Sequence, residues 1–334
     1  MEFPQTHYKY DPSNFKRFLS TQSDIINSYG SNPRNLLENI KKPPKIYICG
    51  MGGSAIASDL LAMYLKEEVE IITIRDYALP PLTTKSDLVI LSSYSGNTEE
   101  SISCYRHARR IGCQILIHTS GGKLEDTAKQ ANIPIIYLSK GYPPRSALAM
   151  SFFLLLRVFE ELGLVKKKKS EVDELVDYLN KTDFVALSTG LSEKLVGKVP
   201  LVYTSVSYSS VALRWKTQFN ENAKTQAFSN VFPELNHNEL ESFKFNKDLF
   251  HVIILSFDDD ISRMKKRMTN TKGALTTNGV SVTELNIKGK KLNKIFSSVL
   301  LGDWVSYLLA LRLEVDPYPV EVIERFKRAM GPFI

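Results

Sequence analysis

Ile46-Tyr47-Ile48-Cys49-Gly50-Met51-Gly52-Gly53-Ser54 carries a short apolar run straight into a glycine-rich turn. Leu88-Val89-Ile90-Leu91-Ser92-Ser93-Tyr94-Ser95-Gly96-Asn97-Thr98 repeats the arrangement further along the chain. Each apolar run is too short for a helix and reads as a strand buried on both faces. Each turn opens a helix, the first over 54–66 with Ile56, Leu60, Leu61 and Tyr64 on one face, the second over 98–111. Where a strand ends and a helix begins, unpaired N–H groups point outward and the helix dipole favours an anion. Neither turn holds a Lys or Arg. Small hydroxyls and main-chain amides suit a compact phosphate monoester better than a long nucleotide.

Working outward, the alternation continues. Strands are expected over 45–49, 70–75, 88–92, 114–118 and 134–138, helices over 54–66, 98–111 and 123–130, and a long apolar helix from Arg145 to about Leu164. After a linker around 166–183 the theme returns: a strand over 201–204 runs into Ser205-Val206-Ser207-Tyr208-Ser209-Ser210 and a helix through Trp215 to about Ala223. A strand over 251–256, a helix over 261–276, a strand over 280–285 and helices over 292–313 and 321–330 complete it. The layout of strand, Ser-rich turn and helix thus occurs once per half. It predicts an α/β chain of two doubly wound αβα sandwiches with parallel sheets. The boundaries are 1–165 for the first domain, 166–184 for a linker or helix and 185–334 for the second. In such folds ligands sit at the C-terminal ends of the strands.

The chain has 334 residues, 43% hydrophobic and 24% charged, enough for two ordinary domains with substantial cores. The net charge of +7 does not gather into a nucleic-acid patch; the one dense run, Lys166-Lys167-Lys168-Lys169, precedes Glu171, Asp173, Glu174 and Asp177 and reads as a solvated helix start. A mild positive field helps draw in an anionic metabolite. Cys49, Cys104 and Cys113 form neither a disulfide framework nor metal spacing, which fits a reducing, cytoplasmic setting. The opening Met1-Glu2-Phe3-Pro4 shows no leader pattern, and the longest apolar run, 147–156, is about half the roughly 20 residues a membrane span needs.

Each candidate residue also has an ordinary reading. Gly50-x-Gly52-Gly53 is a poor dinucleotide fingerprint, and no Gly-Lys-Ser/Thr follows it. Asn97 with Glu100 three residues later forms a capping box, but capping does not account for Ser93, Ser95 and Gly96 together. Two such turns at corresponding sheet positions favour phosphate binding over capping, with Gly52, Gly53, Ser54, Ser93, Ser95 and Thr98 as the candidate cradle. Arg145, after Tyr142-Pro143-Pro144, opposes the dipole at a helix start; it either faces an anion or is an ordinary surface arginine. Taken alone, Glu221 is a solvated carboxylate, His237 a structural histidine and Lys327 a surface lysine.

Together these segments closely resemble the bifunctional phosphoglucose/phosphomannose isomerases, members of the sugar isomerase (SIS) superfamily. The resemblance spans nearly the whole chain. It runs through residues 49–56, Ser92 to Glu100, Pro144-Arg145-Ser146, Asn220-Glu221-Asn222-Ala223-Lys224, Asn236-His237-Asn238-Glu239 and Asp316-Pro317-Tyr318-Pro319-Val320-Glu321. It implies that the cradle residues hold the phosphate of a hexose 6-phosphate and that glucose 6-phosphate and mannose 6-phosphate both exchange with fructose 6-phosphate. By the same resemblance, Glu221 moves a proton between C1 and C2, Arg145 faces the enediolate, and His237 and Lys327 open the cyclic sugar. A homodimer is implied, with His237 reaching in from the partner, and Val320 matches the place where a small residue tolerates either epimer. Neither metal nor organic cofactor is expected, and neither nucleic acid nor membrane as a partner. Burial sharpens a catalytic base, so Glu221 should be sheltered when sugar is bound. A single-substrate or amino-sugar-phosphate SIS isomerase and a phosphosugar-binding regulator are the alternatives; the segment before Lys45 shows no helix-turn-helix for the latter.

Overall fold

The computed structural model describes residues 3–27, 29, 37–331 and 333. They form two compact units, one of residues 21–176 with 333, the other of residues 3–20 with 177–331. The N-terminal segment 3–20 thus packs with the second half of the chain, through the short helix Lys16–Ser20.

In the first unit, β1 (Ile46–Cys49) leads to helix α1 (Gly52–Leu65) and β2 (Ile71–Ile74). Next come β3 (Leu88–Ser93), α2 (Glu99–Ile111), β4 (Gln114–Thr119), α3 (Gly122–Gln130), β5 (Ile135–Tyr137) and α4 (Leu148–Glu161). The five strands are parallel in the order β2-β1-β3-β4-β5. β1 and β3 are buried at every position, as unbroken apolar runs require in a sheet covered on both sides. Tyr47, Val89, Leu91 and Ile117 on one face close over Ile102, Cys104 and Ala108 of α2 and Leu124 and Ala128 of α3. Each large apolar side chain buried this way contributes about 1.5–3 kcal/mol. Helix α5 (Lys169–Asn180) carries the boundary between the units.

The second unit runs α6 (Phe184–Lys194), β6 (Val199–Ser205), α7 (Ser209–Glu221), β7 (Phe228–Phe232), β8 (Phe250–Phe257), α8 (Ser262–Thr277), β9 (Ser281–Ile287), α9 (Lys291–Arg312) and α10 (Glu321–Met330). Its strands are parallel in the order β7-β6-β8-β9. Both sheets therefore have the expected parallel, doubly wound form. Edge strand β7 is an addition: Phe228 is exposed, and Ser229 and Asn230 break any apolar pattern that could mark it. Helix α9 is long and apolar enough to cross a bilayer, yet it is buried along nearly its whole length as the core of this unit.

Strand order fixes where a ligand can sit. In the first sheet the chain moves outward from β1 to β2 on one side and from β3 to β5 on the other, so connections leave β1 and β3 in opposite directions. The crevice that opens beyond their C-terminal ends is the usual ligand site of such sheets. The two turns that open the sequence argument follow β1 and β3. The second sheet has its own switch point between β6 and β8.

Candidate active site

The turn after β1 is shaped by close backbone approach. A Cβ on Gly50 would lie 2.7 Å from the Ser92 carbonyl oxygen, and one on Gly53 would lie 3.0 Å from that of Pro144. The glycines therefore bring three segments together: the β1 turn, the end of β3, and the turn carrying Arg145. Helix α1 starts at Gly52, so Gly52, Gly53 and Ser54 form its first turn; the Ser54 N–H donates to the Met51 carbonyl at 3.2 Å, which leaves the Gly52 and Gly53 N–H groups as its outward donors.

The turn after β3 is braced from within. Ser93 Oγ and Thr98 Oγ1 are 2.8 Å apart; Ser93 Oγ also accepts from the Gly96 N–H at 3.1 Å, and Ser95 Oγ from the Asn97 N–H at 3.2 Å. The capping box expected of Asn97 and Glu100 is not formed. Thr98 is the N-cap residue of α2 and makes no side-chain cap bond, while Asn97 Oδ1 accepts instead from the Lys123 N–H at 3.0 Å. Capping therefore does not occupy the first N–H groups of α2.

Asn97 reaches Lys123 because a third turn of the same kind, Thr119-Ser120-Gly121-Gly122 after β4, interlocks with the second. A Cβ on Gly96 would sit 1.7 Å from the Gly121 carbonyl oxygen, and one on Gly122 would sit 2.3 Å from that of Ser95. Both glycines have positive φ, +68° and +75°. Gly96→Ala is accordingly expected to spread the two loops and raise KM for a phosphosugar at least about tenfold, with kcat far less affected. Steady-state kinetics together with a direct binding titration check this, and an unchanged KM removes this turn from the cradle.

Beneath the turn, His118 is fully buried and its Nδ1 lies 3.0 Å from Ser92 Oγ. Burial pushes its pKa down to about 3, so it is a neutral strut. Tyr94 ties the same loop to the Arg145 segment, donating to the Ser139 carbonyl and accepting from the Tyr142 N–H, both at 2.9 Å. Arg145 itself is buried at 4% exposure and lies in a 3₁₀ turn, Pro144–Ala147, rather than at the start of the long helix. It is not an ordinary surface arginine. Gly52, Gly53, Ser54, Ser93, Ser95, Thr98 and Arg145 thus come together at one switch point.

In the second unit, Glu221 is the last residue of α7 and is half-buried. The asparagines on either side are anchors. Asn220 Nδ2 donates to the Thr225 carbonyl at 2.9 Å, and the buried Asn222 donates to Ser306 Oγ at 3.0 Å. Lys224, with φ +54°, folds back so that its ammonium donates to the carbonyls of Pro317 at 3.1 Å and Pro319 at 2.6 Å. The Asn-Glu-Asn-Ala-Lys segment therefore locks the helix end against 316–319 and fixes the backbone that carries Glu221.

His237 ends a 3₁₀ turn, Glu234–His237, and is exposed. Its neighbours hold the turn: Asn236 donates to Thr271 Oγ1 at 2.7 Å, and Asn238 donates to Glu234 at 3.2 Å. Among the described residues the His237 side chain makes no hydrogen bond. Lys327 lies on α10, every residue of which is exposed, and pairs with Glu324 at 2.9 Å. Val320 is the half-buried residue that precedes α10. Glu221, His237 and Lys327 stand on three separate elements.

The second sheet's own switch point is filled rather than open. Tyr208, from the Ser205–Ser210 turn, stacks on Phe257 at 3.5 Å and donates to both carboxylate oxygens of Asp259. Buried Lys294 pairs with Asp258 at 2.8 Å and with Asp259 at 2.7 Å. The lysine holds both carboxyls below their ordinary range. Two carboxylates in this position repel a phosphate, so the cradle of the first unit has no working counterpart here. Sequence reasoning misses the Thr119–Gly122 turn, although it repeats the hydroxyl-and-glycine signal after a strand, and it assigns no role to Lys224 or to Tyr208 within the segments that contain them.

Residues 184–330 match a family described as the bacterial phospho-glucose isomerase C-terminal SIS domain. A protein of Caldicellulosiruptor bescii named bifunctional phosphoglucose/phosphomannose isomerase is 37% identical over 316 residues, covering 89% of this chain and 93% of its own length. A D-glucosamine-6-phosphate 4-epimerase of Sulfolobus acidocaldarius is 32% identical over 238 residues, covering 71% and 76%. Among solved structures, a hypothetical protein from Thermus thermophilus superposes with a TM-score of 0.75 at 15% identity, covering 98% and 97%, a likeness of fold alone.

Proposed function

We infer the division of labour in this chain from its membership: it belongs to the bifunctional phosphoglucose/phosphomannose isomerase family. It is an aldose–ketose isomerase of hexose phosphates. The first-unit cradle grips the phosphate, and Glu221 transfers the proton between C1 and C2. Arg145 stabilises the enediolate oxygen without surrendering its own proton. His237 and Lys327 assist ring opening. Fixing the phosphate matters because it converts the search for C1 and C2 into a positional constraint.

The observation that carries this reading is the cradle: braced hydroxyls and uncapped helix starts at a switch point, with buried Arg145 against Gly53 of the first turn. The assay is fructose 6-phosphate formation from glucose 6-phosphate and from mannose 6-phosphate, with a chelator present. Both substrates are expected to react at similar rates, and Val320 is the residue whose size leaves room for either epimer. Strong exclusion of mannose 6-phosphate leaves a single-substrate isomerase. The relative named D-glucosamine-6-phosphate 4-epimerase supplies the second reading, and inversion at C4 of glucosamine 6-phosphate without aldose–ketose exchange would establish it.

The active form is a homodimer in which His237 serves the partner's site. Its exposure and its lack of a hydrogen-bond partner among the described residues support this, as do the exposed Val322, Phe326 and Met330 on α10. Mixing His237→Ala with Glu221→Gln protomers tests it. Random exchange gives half heterodimers, each with one intact site, so about a quarter of wild-type activity should return. No recovery after verified exchange means that His237 acts within its own chain. A cytoplasmic location is part of the same reading, supported by three free cysteines.

A further inference from the structure

Helix α8 carries five cations, Arg263, Lys265, Lys266, Arg267 and Lys272, and no carboxylate. Two of them are satisfied nearby: Lys272 pairs with Glu284 at 3.1 Å, and Lys265 donates to the Asp258 carbonyl at 2.6 Å. The other three sit at i, i+3 and i+4 on one helix face. They open on a groove of about 500 Å³ that Asn236, Leu240 and Asn270 also line, and no carboxylate lines it. Among the described residues Arg263 and Lys266 have no ion-pair partner, and Arg267 makes only a long hydrogen bond, 3.4 Å, to Asn236 Oδ1. Like charges at these spacings repel along a helix, and among the described residues no carboxylate pairs with them. Outside the groove Lys272 is neutralised by Glu284 and Lys265 is held by a main-chain carbonyl, while among the described residues none of the three groove cations has an ion-pair partner.

We propose that this groove binds a small ligand bearing two linked phosphates. From Arg263 to Arg267 the helix advances about 6 Å, the reach of two adjoining phosphate groups. Asn270 and Asn236 add amide donors beside the cations, and Leu240 with Ala274 gives one apolar wall for an organic portion. The volume lies in the small-molecule range of about 300–1,000 Å³. The groove is built from second-unit residues alone, and the proposal does not rest on the roles assigned to Glu221 and His237. Inorganic pyrophosphate and a nucleoside diphosphate share the recognised chemistry.

The test is calorimetric titration of the full chain with pyrophosphate, a nucleoside diphosphate and inorganic phosphate, on the wild type and on Arg263→Gln/Lys266→Gln. The double variant leaves the Arg267–Asn236 contact in place, and retained thermal stability and hexose-phosphate turnover establish that it folds. The wild type should bind either diphosphate at least tenfold more tightly than phosphate, with affinity falling steeply between 50 and 200 mM salt as the Debye length halves from roughly 14 to 7 Å. The double variant should lose at least tenfold of that affinity. Tighter binding of the nucleoside form places its organic part on Leu240, and equal affinities assign the site to pyrophosphate itself. Undiminished binding by the double variant, or no preference for diphosphates, overturns the proposal. So does a double variant whose only change is weaker self-association in sedimentation, since the groove cations then pair with a second copy.

Discussion

Glu221→Gln is expected to lower kcat by about ten-thousand-fold, roughly 5.4 kcal/mol, while the dissociation constant for fructose 6-phosphate stays within about twofold. The substitution keeps side-chain volume and removes only the ability to accept a proton. Glu221 is half-buried at the end of α7, and the backbone there is held by Asn220, Asn222 and Lys224, so the helix end should keep its geometry. The proposed phosphate cradle belongs to the first unit, so phosphosugar binding should be untouched. Isotope exchange separates the proton step from ring opening. A carboxylate that takes a carbon-bound proton trades it with solvent, so fructose 6-phosphate in D₂O should acquire deuterium at C1 with the wild type and not with Glu221→Gln. His237→Ala should slow cyclic sugars more than open-chain ones. Normal deuterium incorporation by Glu221→Gln would falsify the assignment of the base.

What the sequence reveals and what it hides follows from how local each cause is. β1, β3, β4 and β8 are legible because strands buried on both faces leave unbroken apolar runs. β7 is not, because an edge strand with Phe228 exposed and polar Ser229 and Asn230 has no such pattern. Gly50, Gly53 and Gly96 are visible as glycines, but their reasons are distant backbones at Ser92, Pro144 and Gly121. The same distance effect undoes the capping box: Asn97 has a better partner in Lys123, far along the chain. Arg145 reads as a misplaced surface charge because a 3₁₀ turn, invisible to helical periodicity, precedes α4. The asparagines around Glu221 stand out as poor helix formers. Their partners, the nearby Thr225 carbonyl and the distant Ser306 hydroxyl, explain why they are tolerated there.

Asp303→Ala is expected to destabilise the second unit by about 3–5 kcal/mol, which corresponds to a fall in Tm of about 10 °C. Arg214 of α7 and Asp303 of α9 are both buried, at 1% and 4% exposure. Their contact is bidentate, Nε to Oδ1 at 2.9 Å and Nη2 to Oδ2 at 2.8 Å. Removing the carboxylate strands a guanidinium away from water, and a guanidinium cannot escape by losing its proton. The pair is expected to contribute little net stability, because forming it costs the desolvation of two charges. Arg214→Met/Asp303→Leu should therefore recover most of the loss. The consequence for catalysis is mechanical. Glu221 lies seven residues beyond Arg214 on the same helix, about 10 Å along its axis, so a helix loosened at Arg214 lets Glu221 wander. Residual folded Asp303→Ala should show lower kcat at unchanged phosphosugar affinity, and the double variant should restore kcat along with Tm. If the double variant is as unstable as Asp303→Ala, the cost lies in lost packing around Trp215 and Gly302, not in an orphaned charge. If stability returns without kcat, the ion pair positions Glu221 by more than holding α7 in place.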